Sequence, residues 1–263
     1  MKIKRCIFTV IFAVCMIIVA SCDGQTSSNV SKPVFGGIAV GDYIKFGKYE
    51  QDNDLENGKE EIEWKVIEIN NGAALLISRY ALDCMPYNVE ESDVTWETCS
   101  LREWMNGTFI NEAFDETEQT IIVTSTVPAD EDSIYHEEGN YYTYCGNDTT
   151  DRVFLLSKKE ADKYFYSFDK KLCYPTAYAV SQGALTVDDK MYYGEFDENG
   201  EWTEKEYEKE GPSCVWWLRT PGLFQFNASI IDAYGGIWEL GESVDRDDFC
   251  VRPALWIMIE DGE

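Results

Sequence analysis

The stretch "GDYIKFGKYEQ" (Gly41 to Gln51) alternates apolar and polar positions, the period of a strand buried on one face. "EIEWKVIEI" (Glu61 to Ile69) repeats the alternation. "AALLISRYALD" (Ala73 to Asp83) then follows Asn71-Gly72, a tight-hairpin dipeptide. Together these stretches predict an antiparallel meander. The period changes in "TCSLREWMNGTFINEAF" (Thr98 to Phe114). There Leu101, Trp104, Met105, Phe109 and Ile110 fall at helical spacing, predicting an amphipathic helix broken at Asn106-Gly107. A helical turn leads into a strand from Ile121 to Val127, and "DRVFLLS" (Asp151 to Ser157) predicts a buried strand. Ser157 and Glu160 have capping-box spacing and open a helix over "KKEADKYF". "YPTAYAVSQGAL" (Tyr174 to Leu185) predicts another short helix with Pro175 near its start. The last quarter reads as strand and turn: Val215 to Thr220, Ala228 to Ala233, Gly236 to Leu240 and Val251 to Ile259. Strands at both ends with short helices between them predict an α+β fold of mainly antiparallel strands.

The N-terminal pattern is of another kind. Lys2, Lys4 and Arg5 precede an apolar run from Ile7 to Ala20, interrupted only by Thr9, and small residues lead to Cys22. This is the layout of a secretory signal peptide. The run is shorter than the roughly 20 residues of a comfortable membrane span. "VASC" (Val19 to Cys22) resembles the bacterial lipobox, which implies cleavage before Cys22 and a lipid on its sulfur. The expectation is therefore a signal peptide over 1–21, a Ser-rich polar tether over 22–38 and one domain over 39–263. Such a chain is exported and held at the outer face of the bacterial cell membrane through Cys22.

The formal charge is −27, and loss of the leader removes three positive charges and no acid. A surface this acidic repels nucleic acid, which is not expected as a partner. From Tyr192 to Glu210 the chain becomes very acidic, and "EFDENGEWTEKEYEKE" predicts an exposed surface hairpin around Asn199-Gly200. Cys84, Cys99, Cys145, Cys173, Cys214 and Cys250 show no CxxC spacing, so nothing points to zinc. They are either paired in the exported chain or buried as small hydrophobes.

Several motifs occur in order: "FGKYEQDND", "ALDCMPYN", "TWETCSLREWMN", "DRVFLLSKKEA", "CYPTAYAVSQGA", "WWLRTPG" and "VRPALWI". From Val40 to Ile259 they closely resemble a large bacterial family of unknown function that is common in surface lipoproteins of gut anaerobes. The closing pattern, Trp217 to Thr220 followed by "VRPA", is also similar to that of the formylglycine-generating-enzyme group. That likeness implies a C-type-lectin-like domain, irregular and loop-rich, in which Arg219 and Arg252 tie late strands and Trp217 is structural. Arg252 takes the place of the arginine in that group's "GFR", although Cys250-Val251 stands where Gly-Phe is usual.

The chemistry legible in the chain favours binding over catalysis. His136 is the single histidine and lies in a polar loop, so no Ser-His-Asp or Cys-His machine is expected. With 49 Asp and Glu, any chosen carboxylate pair is uninformative. Cys214 and Cys250 flank the two arginine segments, which gives the oxidase resemblance a conceivable copper-binding thiol pair. "DNDLENG" (Asp52 to Gly58) places Asp52, Asp54 and Glu56 at calcium-loop spacing with Glu63 beyond. Its glycine falls one place late and no helix precedes it, so it reads as a polar hairpin loop. No cofactor is predicted, and calcium has no support beyond that spacing. The segment from Gln225 to Phe249 offers Asn227, Asp232, Tyr234, Trp238, Asp245, Asp247 and Asp248, aromatic and polar side chains suited to a carbohydrate, cell-wall or protein ligand. The competing reading puts Tyr234 and Trp238 in the core and the aspartates in a solvated turn. The expected role is ligand recognition; the alternatives are an enzyme related to sulfatase-modifying oxidases and a structural or adhesion module.

Overall fold

A computed structural model describes residues 33–129, 143–196, 199–206 and 209–260. The expected leader, Cys22, the expected tether as far as residue 32, and His136 lie outside the described residues. β1 (Tyr43–Tyr49), β2 (Glu60–Asn70) and β3 (Ala73–Ser78) form the expected antiparallel meander. Asn71 and Gly72 close its second hairpin with φ of 50° and 73°, the left-handed pair that a two-residue turn requires. β4 (Asp83–Cys84) follows. β5 (Ser125–Val127) pairs with β6 (Thr149–Asp151), just before β7 (Val153–Phe154). β8 (Thr186–Val187) pairs with β11 (Ser213–Cys214), and between them the acidic stretch folds as a hairpin of β9 (Tyr192–Phe196) and β10 (Trp202–Glu206). β12 (Trp216–Pro221), β13 (Asn227–Ile231), β14 (Ile237–Ser243), β15 (Cys250–Val251) and β16 (Ala254–Met258) complete the domain.

Two five-stranded sheets carry the core, ordered β1-β2-β3-β16-β7 and β14-β13-β12-β15-β4. Their pairs are antiparallel except β12 with β15. The fold is mixed α+β, mainly antiparallel, with short helices. β3 and β16 are buried along most of their length, with Leu76 opposite Leu255 and Ile77 opposite Ala254. Two segments expected as single strands are divided between the sheets. Ala73 to Asp83 supplies β3 to the first sheet and Asp83 to the second. Val251 to Ile259 supplies Val251 to the second and residues 254–258 to the first. Pro253 has no N–H to pair, which interrupts the ladder and lets the chain cross. The two crossings lie side by side, joined by Ser78 N donating to Pro253 O at 3.0 Å.

The helix expected to break at Asn106-Gly107 runs through that dipeptide. α1 (Ser100–Trp104) passes into a π-helical turn (Met105–Phe109) and then α2 (Ile110–Ala113). The Asn106 side chain turns to the start of β7. Its Oδ1 accepts from Arg152 N and Val153 N, and its Nδ2 donates to Val153 O at 2.8 Å. The wider turn thus serves a packing contact. Arg102 Nε and Trp96 Nε1 both donate to the buried Asp151, which joins the "TWETCSLREW" segment to β6. Only Ser125 to Val127 of the expected strand from Ile121 is regular, although Ile122 bridges Ile257. α3 (Glu116–Gln119) and α4 (Lys158–Tyr164) both begin with capping boxes, the second that of Ser157 and Glu160. α5 (Phe168–Lys171) and α6 (Ala177–Ser181) are single turns, and Thr176 caps the latter.

Candidate functional site

The β13–β14 hairpin turns over Asp232 to Gly236. Asp232 Oδ1 accepts from the backbone N–H groups of Tyr234 and Gly236, both at 2.8 Å, so the aspartate fixes the turn from inside. Gly235 has a φ of 80°, and a Cβ there would stand 2.0 Å from the Phe168 carbonyl oxygen. Glycine therefore lets the turn lie directly against α5. Between them opens a hollow of about 300 Å³. Its walls are the rings of Phe168, Tyr192 and Tyr234, each about half exposed, with Met191 buried beneath. Lys190 and Asp232 supply its charged groups. Tyr234 donates to Asp189 Oδ2 at 3.3 Å, and burial, then Asp189, pushes its phenol up, so the hydroxyl keeps its proton as a donor. Rings with charged groups at the rim suit a ligand that has both an apolar face and hydroxyl or amide groups. A larger hollow of about 660 Å³ borders the β1–β2 loop and α2, but its lining is dominated by charged and polar side chains.

Arg219 and Arg252 are both buried, and their surroundings differ. The Arg219 guanidinium forks onto Glu160, with Nη1 donating to Oε2 and Nη2 to Oε1 at 2.9 Å; Nη1 also donates to Leu155 O at 2.9 Å. The same Glu160 Oε2 accepts from Ser157 N in the capping box. Arg252 donates from Nε to Ser78 O at 3.1 Å, and its guanidinium lies 4.9 Å from the Trp216 ring centre and 5.4 Å from that of Phe165. Its Nη1 has no hydrogen-bond partner. Arg219 ties β12 to the start of α4, whereas Arg252 joins the end of β3 and packs its guanidinium on Trp216 of the late strand β12. Trp217 is fully buried against Tyr87 and Phe249, with Nε1 donating to Met85 O at 3.0 Å.

Residues 71–259, which span both crossings, both arginines and the hollow, match the model of a family described as Domain of unknown function (DUF6273). The chain belongs to this family. No curated protein and no solved structure matches it.

Within the DUF6273 domain the seven ligand candidates do not form one site, and Asp248 pairs with Arg246 at 2.7 Å. Asp232 and Tyr234 line the hollow at one end of the β13–β14 hairpin. Asn227 stands at the other end, opposite Ser243, about 16 Å away along the strand. Its Oδ1 is buried without a partner. Trp238 is about half exposed on β14, outside the hollow's lining. Asp245 is exposed and accepts from Ser243 Oγ. Asp247 is also exposed, and its backbone carbonyl accepts from Cys84 Sγ–H. The arrangement instead adds Phe168, Tyr192 and Lys190. A trace of these was legible in the sequence: Phe168 and Tyr192 are aromatics set among polar neighbours, in "YSFDKK" and "DDKMYYGE".

Among the described residues of the DUF6273 domain, Cys84, Cys99, Cys173, Cys214 and Cys250 carry free thiols and are buried. Cys250 faces Cys84 in the β15–β4 register, and Cys214 N donates to Cys173 O. Burial pushes the Cys173 and Cys214 thiols up, and Cys99 up to about 12, which opposes the thiolate that copper or a nucleophilic mechanism requires. The calcium spacing read in the β1–β2 loop does not converge either. Asp54 accepts from Glu56 N, and Glu63 pairs with Arg79 at 2.9 Å on the strand. Among the described residues no helix is long and apolar enough to cross a membrane.

Proposed function

We propose that the protein is an exported lipoprotein, anchored through Cys22, whose domain recognises a carbohydrate or cell-wall ligand in the hollow of Phe168, Tyr192 and Tyr234. The observation that carries this reading is three half-exposed rings converging on Asp232 and Lys190. Exposed aromatic rings lose water readily and stack on sugar faces, while the charged rim fixes orientation. We further propose a C-type-lectin-like layout. Among the described residues, five of the sixteen strands are only two residues long, which supports a domain built more from tied loops than from regular sheet.

A screen of glycans and cell-wall fragments tests the reading. Tyr234→Ala should weaken the ligand found by about fivefold or more, the effect of removing an aromatic contact worth more than about 1 kcal/mol. Its melting temperature should stay near that of the parent, because Tyr234 lies outside the core. Unchanged affinity would place the ligand elsewhere. Anchoring is tested separately by mass spectrometry of the mature N-terminus, where a diacylated Cys22 is expected. An unmodified N-terminus at another residue would refute it.

A further inference from the structure

The loop between β1 and β2 brings three carboxylates together. One oxygen each from Glu50, Asp52 and Glu60 lies within 4.8 Å of the other two. Two oxygens on opposite sides of a calcium ion stand about 4.6–5.2 Å apart, twice the Ca–O bond length, so this spacing fits a shell around one hard cation.

Glu50 points to a ligand in its own right. It is 6% exposed, and its Oε1 accepts no hydrogen bond. A carboxylate oxygen buried without a donor is rare, because nothing offsets its loss of water. The other two side chains are positioned by the loop. Glu60 Oε2 accepts from Gln51 N at 2.7 Å and Asp52 N at 3.3 Å. Asp52 Oδ1 accepts from Asp54 N and its Oδ2 from Asn57 Nδ2, both at 2.8 Å. Among the described residues no lysine or arginine forms an ion pair with any of the three. Lys59, from the same loop, turns instead to the Glu112 carbonyl at 2.9 Å and its carboxylate at 3.7 Å. The surroundings add further negative charge. Burial first, and then the carboxylates of Asp83, Glu112 and Glu50, push the Tyr178 phenol up.

We propose that Glu50, Asp52 and Glu60 hold one calcium ion. All three donors are hard oxygens, two on the β1–β2 loop and one on the first residue of β2, which suits the flexible shell of calcium better than the strict octahedron of magnesium. Gln51 O accepts from Tyr178 N at 3.0 Å, so an ion here would also fix the loop against α6. The site precedes residue 71, outside the span shared with the family, and does not depend on the reading of the hollow.

The test is calorimetry on the full-length protein in detergent, stripped of metal by a chelator and titrated with calcium chloride or magnesium chloride. Physiological salt is included to screen loose binding to the acidic surface. One calcium ion per chain should bind, with a Kd on the order of 10⁻³ M or tighter, and magnesium about tenfold more weakly. Calcium should also raise the melting temperature. Glu50→Gln and Asp52→Asn should each weaken calcium binding by about tenfold or more and abolish that rise. Asp52 is exposed, so its variant keeps the test valid should Glu50→Gln fail to fold. Absence of saturable calcium binding, calcium binding that survives Asp52→Asn at parental strength, or tighter binding of magnesium would each overturn the proposal.

Discussion

Arg219→Leu is expected to lower the domain's stability by about 3 kcal/mol, the lower end of the range for breaking a buried ion pair. Glu160 sets that lower end, because its side chain keeps 25% exposure and water can approach it once the guanidinium is gone. The loss is still severe against a typical total of about 5–15 kcal/mol. Arg219 joins three elements at one point: β12, the buried Leu155 after β7, and the capped start of α4. Arg219→Lys should not restore stability, because an ammonium cannot fork across both oxygens of Glu160 and also serve the Leu155 carbonyl. Glu160→Gln separates charge from capping, since glutamine can still accept from Ser157 N. It should destabilise as well, and the double variant should fall by less than the sum of the two. Arg252 makes an internal control. It has a carbonyl and two rings around it and no ion pair among the described residues, so Arg252→Leu should cost less than Arg219→Leu. Denaturant unfolding of the set decides the matter. A near-normal midpoint for Arg219→Leu with loss of ligand binding would move that arginine from the frame to the ligand site.

Gly235→Ala is expected to cost about 2–5 kcal/mol, the sum of left-handed strain and overpacking, and to abolish the hollow. The new methyl would overlap the backbone of Phe168, where no side chain can rotate aside. The β13–β14 turn and α5 must then separate, which parts Tyr234 from Phe168. Gly200→Ala measures the strain alone. Gly200 has nearly the same φ, 79°, and open space where its Cβ would go. That variant should lose only about 1–2 kcal/mol and keep ligand binding. Equal losses in the two variants would remove the packing argument.

The meander, the Ser157–Glu160 capping box and the acidic hairpin were legible because each is a local pattern of period or turn chemistry. The divided strands were not. Ala73 to Asp83 and Val251 to Ile259 are continuous apolar runs, and such a run looks the same whether it serves one sheet or two. The helix through Asn106-Gly107 was misread because the propensity of Asn and Gly argues for a break, whereas the Asn106 side chain gains four backbone contacts by staying. The hollow was half legible. Tyr234 and Asp232 share a turn, but Phe168 and Tyr192 come from segments roughly 40 to 65 residues away and meet them only through the glycine at 235. Of the carboxylates at the β1–β2 loop, regular spacing selected Asp52 but grouped it with Asp54, Glu56 and Glu63, and it passed over Glu50 and Glu60, which the pairing of β1 with β2 brings together across the hairpin.

β16 fills the gap between β3 and β7, and β15 fills the gap between β12 and β4. Neither sheet is continuous before residues 250–258 have been made. A nascent chain emerging at about 5–20 residues per second therefore carries open sheet edges and an unfinished core until those residues have emerged. The closing contacts span long sequence separations, which makes the final collapse slow. The domain stays open and loosely packed until those residues arrive.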